Sequence, residues 1–314
     1  MSTASKIEWT DATWNPVVGC SIVSPGCIRC YAMRMAARIE AMDKAAGHAP
    51  HYRGLTKKTK AGAVWTGVVR LHRPALLAPL AWRKPRRVFV NSMSDLFHEA
   101  LSDADIDQVF AVMAFSPHCQ FQVLTKRADR MRAYFADKAA RESAIDSAMN
   151  ELAPAHWHRR ELHDWSDGLP LPNVWLGVSA ERQVEADARV PTLLATPAAV
   201  RFVSAEPLLG PVVPSSAWHR LNWIIAGGES GPRARPAHPD WFRTLRDACK
   251  AAGIAFFFKQ WGEWGSGFDT VEDARPFKGD RLRYFPELDR TYYRVGKAVA
   301  GAELDGRLHR EFPA

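Results

Sequence analysis

The chain has no run of about 18 apolar residues free of charge, the minimum for a membrane-crossing helix, so no span is expected. Met1–Trp9 lacks the apolar core of a secretory signal. Cysteine is scarce and odd in number, five in 314 residues, which excludes a disulfide scaffold. These absences point to a soluble cytoplasmic protein whose reduced thiols are open to metal. No strand-like run is followed by GxGxxG, which removes the signature of a dinucleotide-binding doubly wound sheet. With 47% hydrophobic and 24% charged residues, disordered, collagen-like and coiled-coil classes are excluded too.

Acidic residues are missing from one long stretch. Between His51 and Val90 there is no Asp or Glu, while Arg53, Lys57, Lys58, Lys60, Arg70, Arg73, Arg83, Lys84, Arg86 and Arg87 all fall there. The segment therefore carries more than the chain's formal net charge of +8. A stretch this basic suits phosphate backbones, with Tyr52, Trp65 and Trp82 as stacking faces. The competing reading is a solvated basic loop that aids solubility.

What is present is an alternation of apolar runs and helical stretches. Strands are expected near Trp14–Val18, then at Val88–Val90, Phe121–Leu124, Val174–Val178, Val200–Val203, Trp223–Ala226 and Ile254–Phe258. Helices are expected at Leu101–Phe115, Ala128 to about Ala140, Glu181–Ala195 and Asp240–Ala252. Ser102 and Asp105 form a capping-box pattern, and Gly253 reads as a C-cap. Near-continuous apolar strands separated by helices imply a parallel sheet covered on both faces. The expected class is α/β, a partial (β/α)6-type TIM-like barrel over residues 1–261. Arg141–Pro172 reads as an insertion and Gly262–Ala314 as a C-terminal extension or lid.

Polar residues recur where strands end, the edge at which a parallel barrel does its chemistry. They include Ser92, Ser94 and Asp95; Thr125, Lys126 and Arg127; Ser179 and Glu181; Ser204 and Glu206; Glu229 after Gly227-Gly228; and Lys259 with Gln260. Singly, the hydroxyls read as helix caps. Together they describe a polar mouth, and the glycine pair would admit a ligand close to the backbone.

Cys20, Cys27 and Cys30 occupy one loop with the spacing C-x6-C-x2-C around Ser24-Pro25-Gly26. Three thiolates suit zinc or an iron–sulfur cluster. Structural zinc needs a fourth protein ligand, whereas Cys119 and Cys249 are isolated and read as buried small residues. A [4Fe-4S] cluster held by three cysteines leaves one iron open to a chelating ligand such as S-adenosyl-L-methionine.

The cysteine loop, Gly19-Cys20 through Cys30-Tyr31-Ala32, resembles that of the radical S-adenosylmethionine enzyme superfamily. More closely, the chain resembles a phage-associated three-cysteine-motif family of unknown substrate. That likeness rests on Phe89–Phe97, Leu124–Arg127, Trp175–Ser179, Ser204–Gly210, Gly227–Gly231 and Phe258–Gly262. Two departures stand out: the first spacing is six residues rather than three, and Arg29 replaces an aromatic.

The resemblance implies that Cys20, Cys27 and Cys30 hold the cluster. Position and resemblance together place Ser92, Ser94 and Asp95 at the methionyl amino group, Lys126 at its carboxylate, and Ser179 and Glu181 at the ribose. Glu206, Glu229, Lys259 and Gln260 would face the substrate, and Arg233 and Arg235 an anionic group on it. The implied activity is reductive cleavage of S-adenosylmethionine with hydrogen abstraction from a substrate, nucleic acid or a nucleotide being the class to test first. Electrons would come from a donor such as flavodoxin or ferredoxin. The alternatives are a zinc-stabilised nucleic-acid-binding protein without catalysis, and a metal-free hydrolase using Glu206 and Glu229.

Overall fold

The computed structural model describes residues 5–48, 51–60, 62–152, 168–265 and 282–314. Seven parallel strands are ordered β1-β6-β7-β8-β9-β10-β11, which is the α/β partial-barrel class expected. The chain divides into two compact units.

The first unit comprises Met1–Val23, Cys30–Val178 and Thr192–Arg201. Its strands are β1 (Ala12–Trp14), β2 (Val17–Val18), β3 (Thr56–Thr59), β4 (Gly62–Trp65), β5 (Arg70–Leu71), β6 (Arg86–Val90), β7 (Cys119–Thr125) and β8 (Val174–Ser179). Its helices are α1 (Tyr31–Ala45), α2 (Arg73–Leu76), α3 (Asp103–Ala114), α4 (Ala128–Tyr134) and α5 (Lys138–Leu152). Val88 and Val90 on one face of β6, and Phe121 and Val123 on one face of β7, are fully buried, and Phe89 and Gln122 on the opposite faces are buried too. The register sets Trp14 beside Val90 and Val90 beside Val123, so β1 and β6 end level while β7 runs two residues further, to Thr125.

Local signals acted as their chemistry dictates. The Ser102 hydroxyl accepts from the Asp105 N–H at 3.1 Å and starts α3. The early strand near Trp14–Val18 is two pieces, because β2 turns away to pair antiparallel with β5. The expected insertion begins inside a helix: residues 141–152 belong to α5, where Ile145, Ala148 and Met149 are buried. Arg141 fastens α5 to α3 through Asp107 at 2.6 Å and Asp103 at 3.1 Å. The Pro-, His- and Trp-rich part that prompted the insertion reading lies largely in 153–167, outside the described residues.

The second unit comprises Ser24–Arg29, Ser179–Pro191 and Phe202–Ala314. It carries most of α6 (Gln183–Leu194) and β9 (Val200–Ala205), then β10 (Trp223–Gly227), α7 (Pro239–Ala252) and β11 (Ala255–Gln260). Gly253 closes α7 with φ +68°, a left-handed cap that glycine adopts without strain. The C-terminal residues pack against β11. Phe258 N–H donates to His309 O at 3.0 Å, and the Arg310 guanidinium lies 4.5 Å from the Phe257 ring centroid. This end of the expected lid is therefore a brace on the last sheet strand. Among the described residues no helix is long and apolar enough to cross a membrane.

Candidate functional site

In the second unit the site is built around the short turn Pro25–Cys27. Ser24 precedes it in extended conformation, and Cys27 N–H closes it onto Ser24 O at 2.9 Å. The Ser24 hydroxyl donates to Glu181 Oε1 at 2.6 Å, and Arg189 Nη1 donates to Glu181 Oε2 at 2.9 Å. Glu181 is fully buried, and Arg189 also donates to Ser179 O at 2.8 Å. A Cβ on Gly26 would collide with the Glu181 carboxylate, so glycine is required where the turn meets the acid.

A second acid–arginine pair holds the same turn from the end of β10. Arg235 clasps Glu229 through Nε (2.9 Å) and Nη2 (2.5 Å), and its Nη2 also donates to Pro25 O at 3.1 Å. Arg29, within the cysteine loop, reaches Glu229 Oε2 at 3.4 Å. Glu181 was expected at a ribose, and Glu229 and Arg235 at a substrate. Their carboxylates and guanidinium are instead engaged in fixing residues 24–29, because buried charges need partners and the loop supplies them.

In the first unit the organising group is Arg127, at the end of β7. It donates to Asp95 at 3.0 Å, Glu99 at 2.8 Å and the Ser21 hydroxyl at 2.6 Å, and its Nη1 lies 4.0 Å from the Cys20 sulfur. Burial opposes its charge, but Asp95, Glu99 and Cys20 outweigh that and raise its pKa above the ordinary arginine value. His98 completes the group, its Nε2 at 2.9 Å from Ser21 Oγ; burial, then Arg127, lowers its pKa and favours the neutral ring.

Asp95 also accepts from the Phe97 N–H (3.1 Å), the Thr125 hydroxyl (2.7 Å) and the Lys126 N–H (3.0 Å). With Arg127 these fill both lone-pair sites on each oxygen. Asp95 is thus the group that positions Arg127, which corrects its expected role at an amino group. Arg127 stands in the sequence among the polar residues at this strand end, but nothing there assigned it a role. Substituting Arg127→Met is expected to destabilise the protein by roughly 3–5 kcal/mol, since it leaves Asp95 buried without a counter-ion. Urea unfolding reads this, and Asp95→Asn in the same chain should restore part of the loss.

Ser92 and Ser94 emerge beside this group. Ser94 donates its hydroxyl proton to Val17 O at 2.8 Å and Ser92 to Asn15 Oδ1 at 3.2 Å. Lys126 is half-buried on the same edge. Cys20 and Cys30 pack against one hydrophobic cluster that includes Val18, Tyr52 and Met93. Cys27 is buried, its sulfur 3.6 Å from the Ser24 hydroxyl.

The remaining second-unit candidates form a tight group around the glycine pair. Lys259 Nζ is 3.2 Å from Glu206 Oε1. Gln260 Nε2 donates to Gly228 O at 2.8 Å, while its buried Oε1 has no hydrogen-bond partner among the described residues. Arg233 is exposed. A Cβ on Gly227 would lie 2.6 Å from Glu206 Oε1, and one on Gly228 would strike the Trp261 carbonyl. The glycines therefore make room for the protein's own groups, not for a ligand as expected.

Cys119 and Cys249 are core thiols, as expected. Burial raises the pKa of Cys119 and pushes that of Cys249 up to about 12. Among the described residues no disulfide joins cysteines, and no three His, Cys, Asp or Glu side chains form a metal-holding group. The donor chemistry nonetheless fits an iron–sulfur cluster: three thiols fall within residues 20–30, and a buried guanidinium lies 4.0 Å from one of them.

Compared with known families, residues 4–313 match one described as "Protein of unknown function (DUF5131)". No curated protein and no solved structure matches the chain.

Proposed function

We propose that this chain, which belongs to the DUF5131 family of proteins of unknown function, is a radical S-adenosylmethionine enzyme. A [4Fe-4S] cluster bound here would supply the one-electron reduction by which such enzymes cleave S-adenosylmethionine to methionine and abstract hydrogen from a substrate. Cys20, Cys27 and Cys30 would hold three of its irons. The observation that carries this reading is the double anchorage of residues 24–29 by Glu181–Arg189 and Glu229–Arg235. Two acid–arginine pairs converge on these six residues and hold Cys27 in a fixed place, as ligation of a cluster by three thiols would require.

Chain residues have defined tasks in this scheme. Ser92 and Ser94 direct their protons inward and keep lone pairs with which to accept from the amino group of S-adenosylmethionine. Lys126 faces its carboxylate, and Ser179 lies toward its ribose. Arg127, whose Nη1 lies 4.0 Å from the Cys20 sulfur, sets a positive charge beside that ligand. Glu206, Lys259, Gln260 and Arg233 face the substrate. A flavodoxin or ferredoxin delivers the electron. The test is composition after anaerobic purification: iron with acid-labile sulfide supports the proposal, whereas stoichiometric zinc on a colourless protein replaces it with the non-catalytic nucleic-acid-binding alternative.

Nucleic acid or a nucleotide is the proposed substrate class. Arg53, Lys57, Lys58, Arg83 and Lys84 are exposed, whereas Arg87 is paired with Asp11 at 2.9 Å and Arg86 stacks on the Trp82 ring at 4.7 Å. Trp65, expected as a stacking face, is buried in the core and offers none. Neutralising Arg83 and Lys84 together is expected to reduce the slope of log affinity against log salt by about 0.7 for each single-strand phosphate that they would otherwise neutralise. Titrations of a single-stranded oligonucleotide at several salt concentrations read it; an unchanged slope removes these residues from the interface.

A further inference from the structure

The first unit contains a cavity of about 540 Å³ whose lining shares only Ser92 with the residues given roles in the radical scheme. Its walls are rings: Trp14 from β1, Tyr31 from α1, Tyr52 and His51 from the segment after α1, and His72 and Trp82 flanking α2. The volume lies in the range of small-ligand sites. The rings are held in place before any ligand arrives. Trp14 Nε1 donates to Ala75 O at 2.8 Å, and the Tyr31 hydroxyl to Ser92 O at 2.6 Å. His51 and His72 lie face to face, 4.6 Å apart and within 10° of parallel, with His51 Nδ1 anchored 3.2 Å from Asp43.

Charge and hydrogen-bonding capacity narrow the occupant. Among the described lining residues none is acidic, and Lys6 supplies a cation. The Arg86 guanidinium on the Trp82 ring extends that positive character into the basic segment. Asn15 presents a fixed amide at the wall: its Oδ1 accepts from Ser92 Oγ at 3.2 Å and Met93 N–H at 3.0 Å, so its NH2 group remains as donor. Aromatic walls, one oriented amide donor and a cation on a wall without carboxylates match a planar heterocycle that bears a phosphate.

We propose that this cavity binds one nucleotide, its base stacked on Trp82, its ring acceptor on Asn15 and its phosphate toward Lys6, with the almost wholly buried Trp14 and Tyr52 forming the wall behind rather than stacking faces. The inference rests on the substrate class proposed above and is independent of the cluster. Free nucleotide and a nucleotide within a single strand share this chemistry, so both are probed.

Calorimetric titration of the full chain with adenosine and cytidine monophosphates, a short single-stranded oligonucleotide, inorganic phosphate and S-adenosylmethionine tests it. Binding of the monophosphates or the oligonucleotide is expected, the tighter of the two identifying the source. Trp82→Ala should weaken it roughly tenfold or more, and Trp82→Phe should largely keep it. The exposed Lys6→Ala, which threatens no folding contact in the core, should weaken monophosphates more than the corresponding nucleosides. Equal affinity for inorganic phosphate, binding of S-adenosylmethionine alone, or indifference to both Trp82→Ala and Lys6→Ala would overturn the proposal. A chain that binds nucleotides yet produces no deoxyadenosine keeps this site and loses the radical reading; the converse keeps the radical reading and loses the site.

Discussion

A Cys27→Ala chain purified without oxygen is expected to lose essentially all the iron and acid-labile sulfide of the parent, along with any cleavage of S-adenosylmethionine. A cluster held by three cysteines has no spare protein ligand, so two thiolates cannot retain it. Cys20→Ala and Cys30→Ala should do the same. Cys119→Ala and Cys249→Ala serve as controls, because burial holds both thiols protonated in the core. Their cofactor content should match the parent's. Iron and sulfide assays with absorbance spectra distinguish the two sets. Equal losses in all five variants would point to general misfolding, and no loss in the loop variants would remove these thiols from the metal.

The second large effect is on stability, and it comes from Glu181. The side chain is wholly buried and satisfies the Ser24 hydroxyl with one oxygen and Arg189 with the other. Glu181→Ala strands the Arg189 charge, whose side chain is only 10% exposed. Breaking such a pair from one side costs roughly 3–5 kcal/mol, much of it for the charge left behind. The urea midpoint should fall accordingly, and the turn bearing Cys27 should loosen. Gly26→Ala reaches the same contact from the other side, since its new Cβ meets the Glu181 carboxylate. Loss of metal from Gly26→Ala in a chain that still folds cooperatively would separate loop geometry from global stability. A Glu181→Ala protein as stable as the parent would show that the pair is not formed in solution.

The strands and helices were legible because their physics is local. Val88–Val90 and Trp223–Ala226 are apolar on both faces, and Ser102 and Gly253 carry their capping chemistry in their own side chains or lack of one. The site residues were legible as positions but not as roles. An acid after a strand end reads the same whether it awaits a ligand or an arginine. What decided Glu181 was Arg189, on the following helix, and Ser24, far away in sequence. What decided Asp95 was Arg127, contributed by the next strand end. Gly227-Gly228 suggested open space, whereas the space is filled by Glu206 and the Trp261 carbonyl. Partners distant along the chain leave no periodicity to detect, so sequence finds the edge of the sheet and only the fold distributes the work along it.

The central claim is that residues 20–30 carry a redox cofactor that cleaves S-adenosylmethionine. The most direct measurement is anaerobic incubation of the iron- and sulfide-reconstituted chain with dithionite and S-adenosylmethionine, followed by chromatographic quantification of 5′-deoxyadenosine. The account predicts deoxyadenosine that depends on reductant and is absent from Cys27→Ala. A reconstituted protein with full iron and sulfide that forms none, or the same trace with and without Cys27, would contradict it.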